Sequence, residues 1–176
     1  MQTGELWGIK KKGMKKSIIV EHISVEIASS FDHFTFHLEK ALGILRPSEL
    51  KALGAVPASM AYYLKSIYNE NGLVLFNILS QDDLSDKENS RKIKQYQVGN
   101  PAIMCRMTAK HRSAGLYFPI KLLVYEKPDR KVVVEYDLPS SLFKRFNNPE
   151  ILSDAMILEN HLVKLIRFAD KENIGH

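Results

Sequence analysis

Two apolar segments joined by a short turn constrain the fold more than any other feature of this sequence. Ile120 to Glu126 and Lys131 to Tyr136 are rich in β-branched and aromatic residues, and Lys127-Pro128-Asp129-Arg130 between them has the composition of a tight turn. Strands joined by so short a connection pair antiparallel. The sequence therefore predicts a β-hairpin and, with it, an antiparallel sheet.

Hydrophobic spacing predicts the remaining elements. Further strands are expected at 17–27, 73–79 and 93–98, and helices after a Ser29 or Ser30 cap, within 46–71, within 102–115, from Pro139, and over 149–169. The 73–79 strand is apolar on both faces, with Leu73, Leu75 and Leu79 on one and Val74, Phe76 and Ile78 on the other. The fold class is α+β, with two layers: an antiparallel sheet and helices on one face.

The length and charge of the chain indicate one domain with a basic tail. A chain of 176 residues has the size of a single domain. We divide it into a flexible tail (1–16), a domain (17–146, with a helical insert at about 46–71) and an additional packed C-terminal helix (147–170). The first sixteen residues carry a net charge of +4 and the other 160 only +1. A nearly neutral body argues against specific nucleic-acid binding.

The sequence also indicates the cellular compartment of the protein. No stretch is long and apolar enough to predict a membrane span. A single cysteine, Cys105, allows no intramolecular disulfide. These features predict a cytoplasmic protein.

Three blocks resemble the family called domain of unknown function 302: the corner Gly99-Asn100-Pro101, the strand Phe118 to Glu126, and the strand Lys131 to Pro139. The segments 17–42 and 72–76 resemble its opening strand and helix and its second strand, so most of 17–146 is covered. The resemblance implies a β-α-β4-α fold like half of the TATA-binding protein, commonly dimeric, and implies no established activity. This sequence departs from the family pattern after the second strand, where Ile78 to Gln81 stand in place of the family's Ile-Asp-His. The insert and the last helix also lie outside the family pattern.

The connection from Gly99 to Pro119 is the predicted ligand site. It lies between two strands and holds the densest basic cluster outside the tail. Arginine side chains fork onto carboxylates or phosphates, and an asparagine amide both donates and accepts. We therefore expect a small anionic ligand; the alternative is that the segment only connects two strands and its cations face water. The candidate binding residues are Asn100, Arg106, His111 and Arg112.

Other constellations favour plainer interpretations. His33 and His37 have a two-ligand metal spacing, but no clear partner joins them, so a solvated polar face is expected. The acidic segment from Asp82 to Glu88 lacks the glycine of a calcium loop. Cys105, with basic neighbours, is more typical of a buried, inert cysteine than of a nucleophile. We predict no metal site and no cofactor.

Three functions remain open at this point. The favoured one is a dimeric domain that binds or senses a small ligand. The second is a purely structural or interaction module. The third is an enzyme that uses Cys105 or His111.

Overall fold

The computed structural model describes residues 16–45, 72–80 and 91–171 and the single positions 48, 63 and 66. Its strands are His22–Ile27 (β1), Gly43–Ile44 (β2), Val74–Ser80 (β3), Ile93–Gly99 (β4), Ile120–Glu126 (β5) and Val132–Asp137 (β6). Its helices are Phe31–Ala41 (α1), Pro101–Lys110 (α2), Pro139–Phe143 (α3) and Pro149–Lys171 (α4), with 3₁₀ turns at Arg112–Tyr117 and Lys144–Phe146. The predicted tail and insert lie outside the described residues, apart from positions 16, 48, 63 and 66, and so does the acidic segment 82–88.

The described strands form one six-stranded sheet in the order β1-β6-β5-β4-β3-β2. Every neighbouring pair is antiparallel except β2 and β3, which are parallel. The predicted hairpin and the α+β class are confirmed. Two details differ. β2 was not predicted, because two residues show no periodicity, and β1 begins at His22 rather than Ser17, because its partner strand β6 ends at Asp137.

Alternate residues of the central strands face the helices and form the core. Leu122 and Val124 of β5 are fully buried, as are Val98 of β4 and Val134 of β6. The predicted stripes of α1 and α4 pack onto this face. Their buried members are Phe31, Phe34, Leu38 and Ala41 of α1, and Ile151, Ala155, Leu158, Leu162, Leu165, Ile166 and Ala169 of α4.

A bulge in β3 changes which residues share a face. Leu75 pairs with Val98 and Ile78 pairs with Tyr96, so Phe76 has no partner of its own in the ladder. Strict alternation predicted Leu75 and Ile78 on opposite faces. Both instead lie on the helix-covered face, because the extra residue reverses the alternation for the second half of the strand.

The last helix is tied to the start of α1. The Oδ1 atom of Asp170 accepts hydrogen bonds from the backbone nitrogens of Ala28 (3.0 Å) and Ser29 (3.1 Å). The hydroxyl of Ser30 caps α1 by accepting from the nitrogen of His33. Within the described residues, no helix combines the length and apolarity that crossing a membrane requires.

Candidate functional site

Asn100, the first predicted binding residue, is 7% exposed, and its side chain holds the backbone. Its Oδ1 accepts from the nitrogen of Ile103 (3.0 Å) and caps α2, where Pro101 takes the first helical position. Its Nδ2 donates to the carbonyl oxygen of Gly72 (2.8 Å). These contacts join the start of β3 to the corner after β4.

The cations of α2 face carboxylates on α4. Arg106 donates through one terminal nitrogen to Oδ1 of Asp154 (2.5 Å), whose side chain is nearly buried. Lys110 pairs with Glu150 in the same way. Because both charges are balanced within the protein, the predicted basic cluster is weaker than the sequence suggested.

His111 and Arg112 follow α2 and point to different surroundings. The His111 ring lies 4.6 Å from the ring of Phe146, and its Nδ1 is 3.0 Å from the hydroxyl of Ser113. Arg112 lines a shallow cavity of about 340 Å³ together with Cys105, Thr108 and Ala109. None of the other three predicted residues is among the described residues that line this cavity.

A larger cavity, of about 540 Å³, lies where the segment before β1 meets α3 and the following 3₁₀ turn. Among the described residues that line it, three are cationic and only Glu21 is acidic. The lining residues are Lys16, Ser17, Ile18, Ile19, Glu21, Ser141, Lys144 and Arg145. The backbone nitrogen of Glu21 donates to the hydroxyl of Ser141 (3.0 Å), which fixes one wall against the other.

Arg145 is held in place by two aromatic rings. Its Nη1 donates to the hydroxyl of Tyr117 (2.5 Å). Its guanidinium carbon lies 5.7 Å from the Tyr117 ring centroid and 5.2 Å from that of Phe146. Both distances fall within the range of cation–π attraction. A guanidinium oriented in this way loses less side-chain entropy when it binds a carboxylate or phosphate.

Tyr117 also lines another, smaller cavity, of about 240 Å³, which we call the Tyr117 cavity. Lys121 and Asp137 bring charge to its wall, and Leu116, Pro119, Ile120 and Leu142 make the rest apolar. Arg145 lines the 540 Å³ cavity and donates a hydrogen bond to Tyr117. The 540 Å³ cavity and the Tyr117 cavity are therefore neighbours, separated by this pair of residues.

Next to the Tyr117 cavity, on the sheet face away from the helices, a hydrogen-bonded network surrounds Glu135. His22 lies with Nδ1 3.0 Å from Asp137 and Nε2 3.5 Å from Glu135. The hydroxyls of Tyr125 (3.0 Å) and Ser24 (3.2 Å) donate to Glu135. The hydrogen bond to Asp137 raises the pKa of His22, and that to Glu135 raises the pKa of Tyr125.

The enzyme candidates are not assembled into a catalytic pair. Cys105 is exposed, so the expectation of a buried cysteine is wrong. No imidazole is among the described residues that line its cavity. Within the described part of the chain, no group of three or more His, Cys, Asp or Glu residues could hold a metal ion. Sequence reasoning missed Lys144 and Arg145, which follow the Pro139 corner, because nothing local shows that Tyr117 lies against them.

The family model described as Domain of unknown function DUF302 matches residues 63–169, more than half of the chain. The chain belongs to the DUF302 family. The match differs at both ends from the range that the motifs indicated. It includes α4, which we had placed outside the family pattern, and it leaves out β1 and α1. The core explains the first difference, since α4 supplies many of its buried side chains.

A solved DUF302 structure has the same fold. The uncharacterized conserved DUF302 protein from Bacillus stearothermophilus superposes with a TM-score of 0.60 at 17% sequence identity. The alignment covers 84% of this chain and 97% of that one. At this identity the likeness shows the fold alone. No curated protein matches the chain.

Proposed function

We propose that this DUF302 protein binds a small anionic ligand in the cavity lined by Lys16, Lys144 and Arg145. The observation that carries the proposal is the orientation of Arg145, whose guanidinium is positioned by Tyr117 and Phe146 at the wall of a cationic cavity. Such an arrangement suits a carboxylate or phosphate group, which a planar guanidinium binds through two parallel hydrogen bonds.

The size of the cavity supports a metabolite rather than a bare ion. Ligand pockets commonly enclose roughly 300–1,000 Å³, and this one encloses about 540 Å³. The hydroxyl of Ser141 accepts from Glu21 and donates to the carbonyl of Leu138. Because this hydroxyl already uses its donor within the protein, recognition of the ligand depends on the three cations.

The test is a thermal-shift and calorimetric screen with inorganic phosphate, pyrophosphate and citrate. At least one anion is expected to raise the melting temperature of the wild type, and Arg145→Met, which keeps an apolar side chain against Phe146, is expected to abolish the response. Arg167→Ala, which removes an exposed cation from α4, is the matched control and keeps it.

The same screen separates this cavity from the originally predicted site. Arg112→Ala and His111→Ala are expected to respond as the wild type does. If those variants lose the response while Arg145→Met keeps it, the ligand binds at the connection between Gly99 and Pro119. If no anion stabilises the wild type, the protein does not bind anions of this class.

A second proposal concerns self-association. The sheet face away from the helices, here called the open face, carries the partly exposed apolar residues Leu79, Ile93, Leu123 and Tyr125. Val74 and Val133 lie on the same face and are already buried within the chain, so only part of this face is available to a partner. We propose that a second copy of the chain covers them, which makes the protein a homodimer. The charged network around Glu135 borders this patch and limits its apolar extent. If dimerisation occurs without any ligand, the structural-module interpretation is favoured.

We also propose a cytoplasmic location. Cys105 is exposed and unpaired, and exposed free thiols persist best in a reducing compartment.

A further inference from the structure

The two histidines of α1 are only partly exposed, whereas the sequence predicts a solvated polar face. His33 and His37 lie one turn apart with ring centroids 4.4 Å from each other and planes tilted by 42°. Both residues are partly buried. The ring of Phe36 lies edge-on to His37, at 5.1 Å, and the contact between the two imidazoles covers part of each.

One nitrogen of this pair is buried without a partner. The Nε2 atom of His33 is inaccessible to solvent and has no hydrogen-bond partner among the described residues. The histidine on β1 is different, since both nitrogens of His22 face carboxylates. A buried polar atom that makes no hydrogen bond costs stability, and such atoms are uncommon in native structures unless an ion or water satisfies them.

We propose that His33 and His37 together bind a divalent transition-metal ion of the zinc class. In a tetrahedral site with bonds of roughly 2.0–2.1 Å, two ligating nitrogens are about 3.3 Å apart. A ligated ion lies on the nitrogen lone pair, roughly 3.2 Å from each ring centroid, so a tetrahedral ion needs the two centroids about 5.2 Å apart. The centroids are 4.4 Å apart, so binding requires the rings to separate by about 0.8 Å.

The ligand set selects the kind of ion. Imidazole suits zinc, copper and nickel, whereas magnesium and calcium prefer oxygen ligands. No third protein ligand joins the pair within the described residues. Because the Nε2 atom of His33 is closed to solvent, the two rings must move apart before water or an exogenous ligand can complete the coordination of the ion.

The residues between the histidines exclude one familiar use of this spacing. In helical zinc peptidases a glutamate follows the first histidine and acts as general base. Here Phe34 stands at that position and is completely buried in the core. The site therefore binds a metal without providing peptidase chemistry.

The experiment is a titration of the full, untagged chain with Zn²⁺, followed by calorimetry. We expect one equivalent to bind at the pair, and either His33→Gln or His37→Gln to weaken binding at least tenfold. His22→Gln, His111→Gln and Cys105→Ser are controls that remove other zinc ligands, and their affinity should equal that of the wild type.

A measurement on the wild type keeps the proposal testable if a variant misfolds. Added Zn²⁺ should shift the imidazole NMR signals of His33 and His37, and Cu²⁺ should give a paramagnetic resonance spectrum with two coordinated nitrogens. The proposal is overturned if no stoichiometric binding occurs, if the control variants abolish it, or if the signals of the pair do not move.

Discussion

The side-chain amide of Asn100 donates a 2.8 Å hydrogen bond to the carbonyl oxygen of Gly72, the residue two positions before β3. The same side chain caps α2. One buried amide thus fixes the beginning of one strand relative to the end of its neighbour.

Replacing Asn100 with alanine should destabilise the protein by about 2 kcal/mol, since it removes a helix cap and leaves a carbonyl without this donor. Asn100→Ser keeps a cap acceptor but cannot reach Gly72, so its effect should be smaller. Chemical denaturation measures both. Asn160→Ala, at an exposed position of α4, is the control and should change stability by less than about 0.5 kcal/mol. Equal stability of Asn100→Ala and wild type would show that this contact is unimportant.

Gly72→Ala should also destabilise the protein. Gly72 has a φ of +67°, and a Cβ there would lie 2.8 Å from Cε1 of His161. The left-handed backbone alone costs an alanine about 1–2 kcal/mol. His161→Ala in the same chain should recover only the steric part of the loss. Gly115→Ala is the matched control, because its Cβ would meet Thr108 at 3.5 Å, an ordinary contact. Similar losses at both glycines would contradict this explanation.

The network around Glu135 should make stability depend on pH near neutrality. The hydrogen bond to Asp137 raises the pKa of His22 above its ordinary 6.5. Charged His22 therefore stabilises the fold fully below about pH 6.5, and this contribution is lost as the pH rises through the raised value. NMR titration of the imidazole should show the shift, and Asp137→Asn should reduce it. An unchanged titration in that variant would rule out Asp137 as the cause.

Self-association should depend on the open face. Light scattering at micromolar concentration is expected to give the mass of a dimer, and Leu123→Lys should reduce it to that of a monomer, because a charge at the centre of the patch would be buried unpaired. Met156→Lys adds the same charge to an exposed position of α4 and should remain dimeric. If the wild type is a monomer under these conditions, the result contradicts the proposal of a homodimer.

The sequence predicted the elements whose signal is local. The hairpin of β5 and β6 and the stripe of α4 depend on spacing within one segment, and both were found close to the predicted bounds. The family match and the solved relative support the same architecture. By contrast, the prediction of a strand over 93–98 did not indicate that Tyr96 would be a core residue. Tyr96 is fully buried, and its hydroxyl donates to Glu39 of α1 (2.7 Å), a pairing that no local pattern encodes.

The candidate site was harder to predict for the same reason. The cations of α2 looked available because the carboxylates that balance them, Asp154 and Glu150, come from a helix some forty residues later. Arg145 looked unremarkable because Tyr117, which orients it, is 28 positions away. Charge can be counted in a sequence, but whether a charge is neutralised or positioned depends on contacts between distant segments.

The bulge at Phe76 has a consequence for chain length. Leu75 and Asn77 oppose consecutive residues of β4, Val98 and Gln97, so the strand contains one residue more than its ladder uses. Deleting Phe76 would leave a regular ladder with every other pairing unchanged. Deleting Asn77 would have the same effect, with Phe76 opposite Gln97. Deleting Ile78 or Leu79, by contrast, would turn the side chains immediately before the deletion to the wrong face. We therefore expect the fold to tolerate the loss of one residue at position 76 or 77 without a change of architecture.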